Sequence, residues 1–219
     1  MVSGSQATAP SQLVWDAKAT LGSDTPVAVQ AVAEAALDLG RPTVLLEVNG
    51  CAFTIAPEAG LSPLCRRLAQ ERVTYLSSAP DGIVVISNRA ADASLRALTE
   101  QLIHDGHRVL IVGPTPVLPS WQPDRCSTLR VLRGSCDATG PLSDVTRHQA
   151  EAKVLVAQAG AVPGAAVVDL SREICPDGTC RAWREGAVVF RDADHLTVSG
   201  NRALVTPVRV ALERLSARA

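Results

Sequence analysis

The chain has 219 residues, of which 47% are hydrophobic and 20% charged, so it is long enough for a domain with a sizeable core and too apolar for a mostly disordered protein. Its formal net charge is -1 and it carries no basic block, which argues against a nucleic-acid-binding protein. Its apolar runs are shorter than the roughly 18–20 residues that a membrane-spanning helix needs.

Taken in chain order, residues 1–16 predict a flexible lead or linker, and a domain is predicted over 17–219. Runs rich in Val and Ile then alternate with segments of helical periodicity. Strands are predicted near 17–21 and at 42–48, 82–87, 108–113 and 165–170. Helices are predicted at 26–39, around 60–70, and at 90–105, 143–160 and 199–215, the last kinked at Pro207. This alternation predicts a parallel sheet with helices on both faces.

Segment 114–142 differs from the rest of the predicted domain. It contains five prolines, Trp121 and two cysteines, and it has no helical or strand periodicity. We therefore predict a long loop that a disulfide pins down, and ordered loops of this length often build a functional site.

The six cysteines fall into three couples that are close in sequence: Cys51 and Cys65, Cys126 and Cys136, and Cys175 and Cys180. Each couple brackets a short segment with Pro or Gly, and CPDGTC contains a Pro-Asp-Gly turn. We predict a disulfide within each couple, which would indicate an oxidising, extracytoplasmic location. Two alternatives stay open here. One is a zinc site, although the chain has no Cys-x-x-Cys. The other is a set of free buried thiols in a cytosolic protein.

His104 and His107 form a His-x-x-His pattern that could suggest a metal site on a helix. Gly106 is expected to end the helix between them. We therefore predict that they lie at a helix C-terminus and that the chain has no metal site.

Polar residues follow several of the predicted strands. The segments are LGSDT after the first strand, NGC after the second and SNR after the third. A fourth segment, FRDADHLTVSGNRAL at 190–204, precedes the last helix and contains Asp192 and His195. Sites in open α/β sheets lie at the carboxyl ends of the strands, so these four segments are expected to converge at one edge.

This set of segments resembles the SGNH (GDSL-like) hydrolase superfamily. Together with the cysteine layout, it is similar to the extracytoplasmic SGNH domain fused to membrane O-acyltransferases of the acyltransferase-3 type, over roughly residues 17–215. The resemblance implies a three-layer α/β/α fold with a central parallel sheet and disulfide-pinned loops. It also implies that His195 is the general base, that Asp192 orients it, and that the Gly50 N–H and the Asn88 side-chain amide bind an oxyanion.

The expected nucleophile block departs from the family pattern Gly-Asp-Ser. This chain reads Gly-Ser-Asp-Thr at 22–25, so serine and aspartate are exchanged. Three interpretations remain. The turn could be shifted so that Ser23 is the nucleophile, Asp24 could occupy the nucleophile's position in a degenerate site, or Thr25 could serve. Taken alone, the segment is typical of a helix N-cap.

The resemblance further implies an enzyme that transfers an acyl group to glycan hydroxyls through an acyl-serine, without a cofactor. The implied partners are a membrane acyltransferase domain in the same full-length chain and a glycan acceptor, and the implied location is extracytoplasmic, tethered to the membrane. Alternatives are a secreted carbohydrate esterase and a non-catalytic domain that binds a glycan or a partner protein. Segment 114–142 is expected to influence acceptor choice. The acyl group, the glycan and the oligomeric state stay open.

Overall fold

A computed structural model describes most of the chain from residue 29 onward. The described residues are 29–44, 46, 53, 55, 62–87, 91–123, 126 and 138–217. The predicted strand near 17–21 lies outside them, as do four predicted site residues: Ser23, Asp24, Gly50 and Asn88.

Helices and short strands make up this part of the chain. The helices are α1 (Val29–Asp38), α2 (Pro63–Ser78), α3 (Leu95–His104), α4 (Leu142–Val145), α5 (Ala150–Gly160), α6 (Ser171–Ile174), α7 (Val198–Arg202) and α8 (Val205–Ser216). The strands are β1 (Ile83–Ile86), β2 (Arg108–Val112), β3 (Thr139–Pro141), β4 (Ala165–Val168), β5 (Thr179–Arg181), β6 (Trp183–Arg184) and β7 (Ala187–Val188). None of these helices has the length and apolarity that crossing a membrane requires.

A parallel sheet in the order β1-β2-β4 forms the centre of the described structure. Successive side chains of a strand point to opposite faces. Accordingly, Val109 and Ile111 of β2 lie in the core beneath α3 and α5, whereas Leu110 and Val112 lie in the core beneath α1 and α8. The predicted three-layer α/β/α arrangement is confirmed, and so are strands at three of the predicted places.

Three predicted elements differ from the structure. The expected helix over 143–160 is two helices, α4 and α5, with a 3₁₀ turn over Arg147–Gln149 between them. The expected helix over 199–215 is two helices, α7 and α8, which are separated at Ala203 and Leu204. Pro207 lies in the first turn of α8 rather than at a kink, because N–H groups there have no partner within the helix and a proline loses nothing. In the predicted strand 42–48, the described residues 42–44 and 46 are not in a strand, and the others lie outside the described residues.

The disulfide between Cys175 and Cys180 is confirmed, and both of its residues are fully buried. Cys65 and Cys126 are also disulfide-bonded, which argues against the zinc and free-thiol alternatives. Their predicted partners, at positions 51 and 136, lie outside the described residues, so those two pairings stay predictions.

Segment 114–142 is partly described, and its first part, residues 114–123, packs into the core. Leu118 and Trp121 are buried in the core beneath α1 and α8. At its far end, β3 pairs antiparallel with β5, with Gly140 opposite Cys180. The segment is therefore fastened to the domain core and to the strand that carries the disulfide.

Candidate active site

The Asp-x-x-His segment forms a short loop that is closed by an antiparallel bridge between Phe190 and Leu196. The N–H of Arg191 donates to the His195 carbonyl at 2.8 Å inside this bridge. Phe190 and Leu196 are buried, whereas the five residues between them are half-buried. Two apolar anchors therefore fix the ends of the loop, which we call the base loop (residues 190–196), and leave its polar side chains accessible.

Asp192 organises the base loop through both of its carboxylate oxygens. Its Oδ1 accepts the backbone N–H groups of Asp194 at 3.1 Å and His195 at 2.9 Å, and also His195 Nδ1 at 2.7 Å. Its Oδ2 accepts Arg191 Nε at 3.2 Å. An aspartate that bonds to backbone N–H groups two and three residues ahead is typical of a tight turn. One side chain thus fixes both the turn and the imidazole.

These contacts keep Asp192 ionised at neutral pH. Partial burial raises the pKa of Asp192, but hydrogen bonds from His195, from the Asp194 N–H and from Arg191 outweigh that effect and lower the pKa to about 2. A carboxylate in this state can hold an imidazole N–H and stabilise an imidazolium beside it.

His195 has the arrangement of a general base. Its side chain is only 17% exposed, and its Nδ1 is directed to Asp192. Because a carboxylate only accepts, this bond places the imidazole proton on Nδ1 and leaves a lone pair on Nε2. Within the described part of the chain, no residue hydrogen-bonds Nε2. That nitrogen is therefore available to take a proton from a substrate or a nucleophile.

Segment 114–123 supports the base loop through two hydrogen bonds to its backbone carbonyls. The Leu118 N–H donates to the Ala193 carbonyl at 2.6 Å, and Trp121 Nε1 donates to the Phe190 carbonyl at 2.7 Å. The indole is 5% exposed, so its hydrogen bond is shielded from water. The sequence identified this segment as a loop but did not reveal that it supports the predicted base.

Helix α7 closes the other side of the base loop. Thr197 is its N-cap, since its Oγ1 accepts the Gly200 N–H at 3.0 Å, and the same hydroxyl donates to the Val188 carbonyl. The Thr197 N–H donates to the Val189 carbonyl at 2.9 Å. A Cβ on Gly200 would lie 2.4 Å from that carbonyl oxygen, so the helix can approach the strand only because residue 200 has no side chain.

Of the predicted site residues, the structure brings Asp192 and His195 together. The predicted nucleophile and oxyanion donors are outside the described residues, so their roles stay predictions. His104 and His107 lie in different surroundings: His104 is exposed beside Asp105, whereas His107 is buried and its Nε2 donates to the Leu76 carbonyl at 2.8 Å.

Asp194 is a residue of the site that the sequence prediction passed over. Its Oδ1 lies 3.2 Å from His195 Nδ1, so a second carboxylate faces the same imidazole nitrogen. The sequence DADH already contained this information, because Asp194 directly precedes His195 and Asp192 lies three residues before it.

Ligand atoms of Asp192, Asp194 and His195 lie within 4.8 Å of one another, as in many metal sites. The hydrogen bonds between these three neighbours account for that proximity, and we assign no metal to them. A separate cavity of about 430 Å³ opens at the carboxyl ends of β2 and β4, and its lining includes Lys153 and Asp169 but neither member of the histidine–aspartate pair.

Comparisons with known proteins agree with this architecture. The family model described as "SGNH domain (fused to AT3 domains)" matches residues 28–209. The solved periplasmic domain of a lipopolysaccharide acetyltransferase from Salmonella ser. Paratyphi A is similar in fold, with a TM-score of 0.54 and 13% sequence identity over 84% of this chain and 78% of that chain. No curated protein sequence matches the chain.

Proposed function

Because the chain belongs to the family of SGNH domains fused to AT3 domains, we propose that it is the extracytoplasmic, acyl-transferring part of a membrane O-acyltransferase. It receives an acyl group from the membrane domain of the same full-length chain and passes the group to a glycan hydroxyl. The observation that carries the proposal is the pairing of His195 with Asp192 at 2.7 Å, which leaves Nε2 as a proton acceptor.

In the proposed reaction, Ser23 Oγ attacks the acyl carbonyl while His195 Nε2 takes the hydroxyl proton. The Gly50 N–H and the Asn88 amide stabilise the oxyanion that forms. The carbonyl re-forms, the leaving group takes the proton from His195, and an acyl-serine remains. A glycan hydroxyl then gives its proton to Nε2 and attacks the acyl-serine, and as the acyl–oxygen bond breaks Ser23 Oγ takes that proton from His195. Throughout, Asp192 holds the tautomer and stabilises the imidazolium.

We also propose that the domain works outside the cytoplasm, tethered to the membrane by the rest of the full-length protein. The buried Cys175–Cys180 disulfide supports an oxidising compartment, since such bonds are rare in the cytosol. The solved structure with a similar fold is itself described as a periplasmic domain.

Labelling with a fluorophosphonate probe, followed by intact mass spectrometry and peptide mapping, tests the proposal. We expect a single adduct on Ser23 that is absent in Ser23→Ala and at least about 10³-fold slower in His195→Ala. Ser78→Ala, which changes an exposed serine at the end of α2, is the matched control and should label like the unmodified chain. Adding oligosaccharide acceptors to a p-nitrophenyl acetate assay then separates acyl transfer from hydrolysis, since a transferase forms acylated sugar and an esterase forms acetate.

The order Gly-Ser-Asp-Thr at 22–25 favours a second candidate, a non-catalytic domain that binds a glycan or a partner protein. In that case a carboxylate occupies the position of the nucleophile and cannot form an acyl-serine. A folded, oxidised protein that takes no fluorophosphonate, together with glycan binding that His195→Ala leaves unchanged, would select this candidate over the transferase.

A further inference from the structure

Two carboxylates face one nitrogen of His195. Asp192 Oδ1 lies 2.7 Å and Asp194 Oδ1 lies 3.2 Å from Nδ1. The Asp194 side chain is the less exposed of the two, at 17% against 38% for Asp192. Its charge is therefore the less screened by water.

Asp192 divides its hydrogen-bonding capacity among several donors. Its Oδ1 accepts two backbone N–H groups as well as the imidazole, and its Oδ2 accepts Arg191. A carboxylate that is paired with a guanidinium contributes less net negative charge to a neighbouring imidazolium. The second carboxylate compensates for this, and its own backbone N–H bond to Asp192 keeps Asp194 beside the ring.

We propose that Asp194 is a second positioning residue of the base, which shares with Asp192 the tasks of holding the Nδ1–H tautomer and stabilising the imidazolium. Its catalytic consequence rests on the proposed acyl transfer, whereas its effect on the imidazole does not. The charged side chains of the described residues that bear on the ring are Asp192 and Asp194, with Arg191 bound to Asp192.

A double-mutant cycle with Asp192→Asn and Asp194→Asn tests the proposal. Asparagine keeps an oxygen acceptor and removes the charge, and the three donors around Oδ1 of Asp192 favour the amide oxygen at that position. If the two carboxylates share one task, Asp194→Asn should lower kcat/KM only about 3-fold in the unmodified chain and about 10²-fold in the Asp192→Asn background. An equal fold-change in both backgrounds would overturn the proposal.

Nitrogen-15 NMR of the His195 ring gives a readout that needs no catalysis, and His195→Ala assigns the signals. We expect the Nδ1–H tautomer to dominate in every variant, because the amide oxygen at position 192 still accepts the bond, and the Nδ1–H hydrogen bond to be weakest in the double variant. In Asp194→Asn alone, the Nδ1–H proton should resonate upfield and exchange faster with water. Asp177→Asn, which removes a negative charge from an exposed position whose φ of 59° asparagine tolerates, should leave this signal unchanged.

The two readouts separate the positioning role from the proposed function. The expected NMR changes in a protein without activity would support the role of Asp194 and count against acyl transfer. An Nδ1–H signal that is the same in Asp194→Asn and Asp177→Asn would overturn the role of Asp194, whatever the activity. This comparison uses single variants, so it holds even if Asp192→Asn does not fold.

Discussion

Replacing Gly200 by alanine sets two effects of opposite sign against each other. Glycine within a helix is about 1 kcal/mol less favourable than alanine, so helix propensity alone predicts that Gly200→Ala stabilises the protein. However, the added Cβ would lie 2.4 Å from the Val189 carbonyl oxygen, 3.2 Å from its carbonyl carbon and 3.3 Å from Leu196 Cβ. A clash with backbone cannot be relieved by rotating a side chain, so α7 has to move away from the strand.

The cost of the clash is expected to exceed the gain in helix propensity. Overpacking costs about 1–3 kcal/mol, and contacts with a backbone oxygen on one side and Leu196 on the other place Gly200 at the upper end of that range. After subtracting the gain in propensity, we expect the free energy of unfolding to fall by about 2 kcal/mol. For a chain of this length, that corresponds to a decrease in Tm of about 4–8 °C.

Thermal and urea denaturation of Gly200→Ala and Gly82→Ala measure this difference. Gly82 is the matched control, because a Cβ there would meet only the Pro80 carbonyl oxygen at 3.7 Å, an ordinary contact. We expect Gly82→Ala to change stability by less than about 1 kcal/mol. An unchanged or higher Tm for Gly200→Ala would refute the reasoning, since it would mean that propensity outweighs the close approach of α7 to Val189.

The pKa of Asp192 is lowered from 3.8 to about 2, so the ionised carboxylate stabilises the folded state. This contribution is complete above about pH 4 and is lost as the pH falls towards 2. The free energy of unfolding, measured by urea denaturation, should therefore fall by up to about 1 kcal/mol less between pH 6 and pH 3 in Asp192→Asn than in the unmodified chain, because the carboxylate is partly exposed. The same fall in both proteins would contradict this. Trp121→Phe removes the donor to the buried Phe190 carbonyl and should lower the free energy of unfolding by about 1–3 kcal/mol, and an unchanged value would show that this hydrogen bond is dispensable. Replacing both Cys175 and Cys180 by alanine should cost about 2 kcal/mol by the same assay, and a reductant should then no longer affect this part of the fold.

The central sheet could be predicted from the sequence because its middle strand, β2, is buried from Val109 to Val112 and its neighbours are also apolar runs. Runs such as VVI in β1 and VLIV in β2 are apolar at every position, and a local pattern of this kind is visible without knowledge of the neighbours. The end of α3 could also be predicted, because the residue that marks it is local in sequence. Gly106 adopts a φ of 95°, which other residues rarely do, so a single glycine marks the boundary.

The contacts that support the base loop could not be predicted, because they join segments that are distant in sequence. Trp121 and Phe190 are 69 residues apart, and nothing local to either residue indicates that an indole N–H meets that carbonyl. The break between α7 and α8 was missed for a different reason. Pro207 fits within a first helical turn, so its presence predicted an irregularity but not its position.

The hydrogen bonds from Leu118 and Trp121 to the base loop come from the first part of segment 114–142. The bonds to the base loop come from residues up to 121, whereas residues 124–137 lie beyond them along the chain. A change of sequence after residue 123 therefore leaves both donors to the base loop in place. Loop grafting between relatives should accordingly start after Pro123 and keep Cys126 and Cys136. On the proposed acyl transfer, such grafts test whether the rest of the segment sets acceptor preference while the base loop keeps its support.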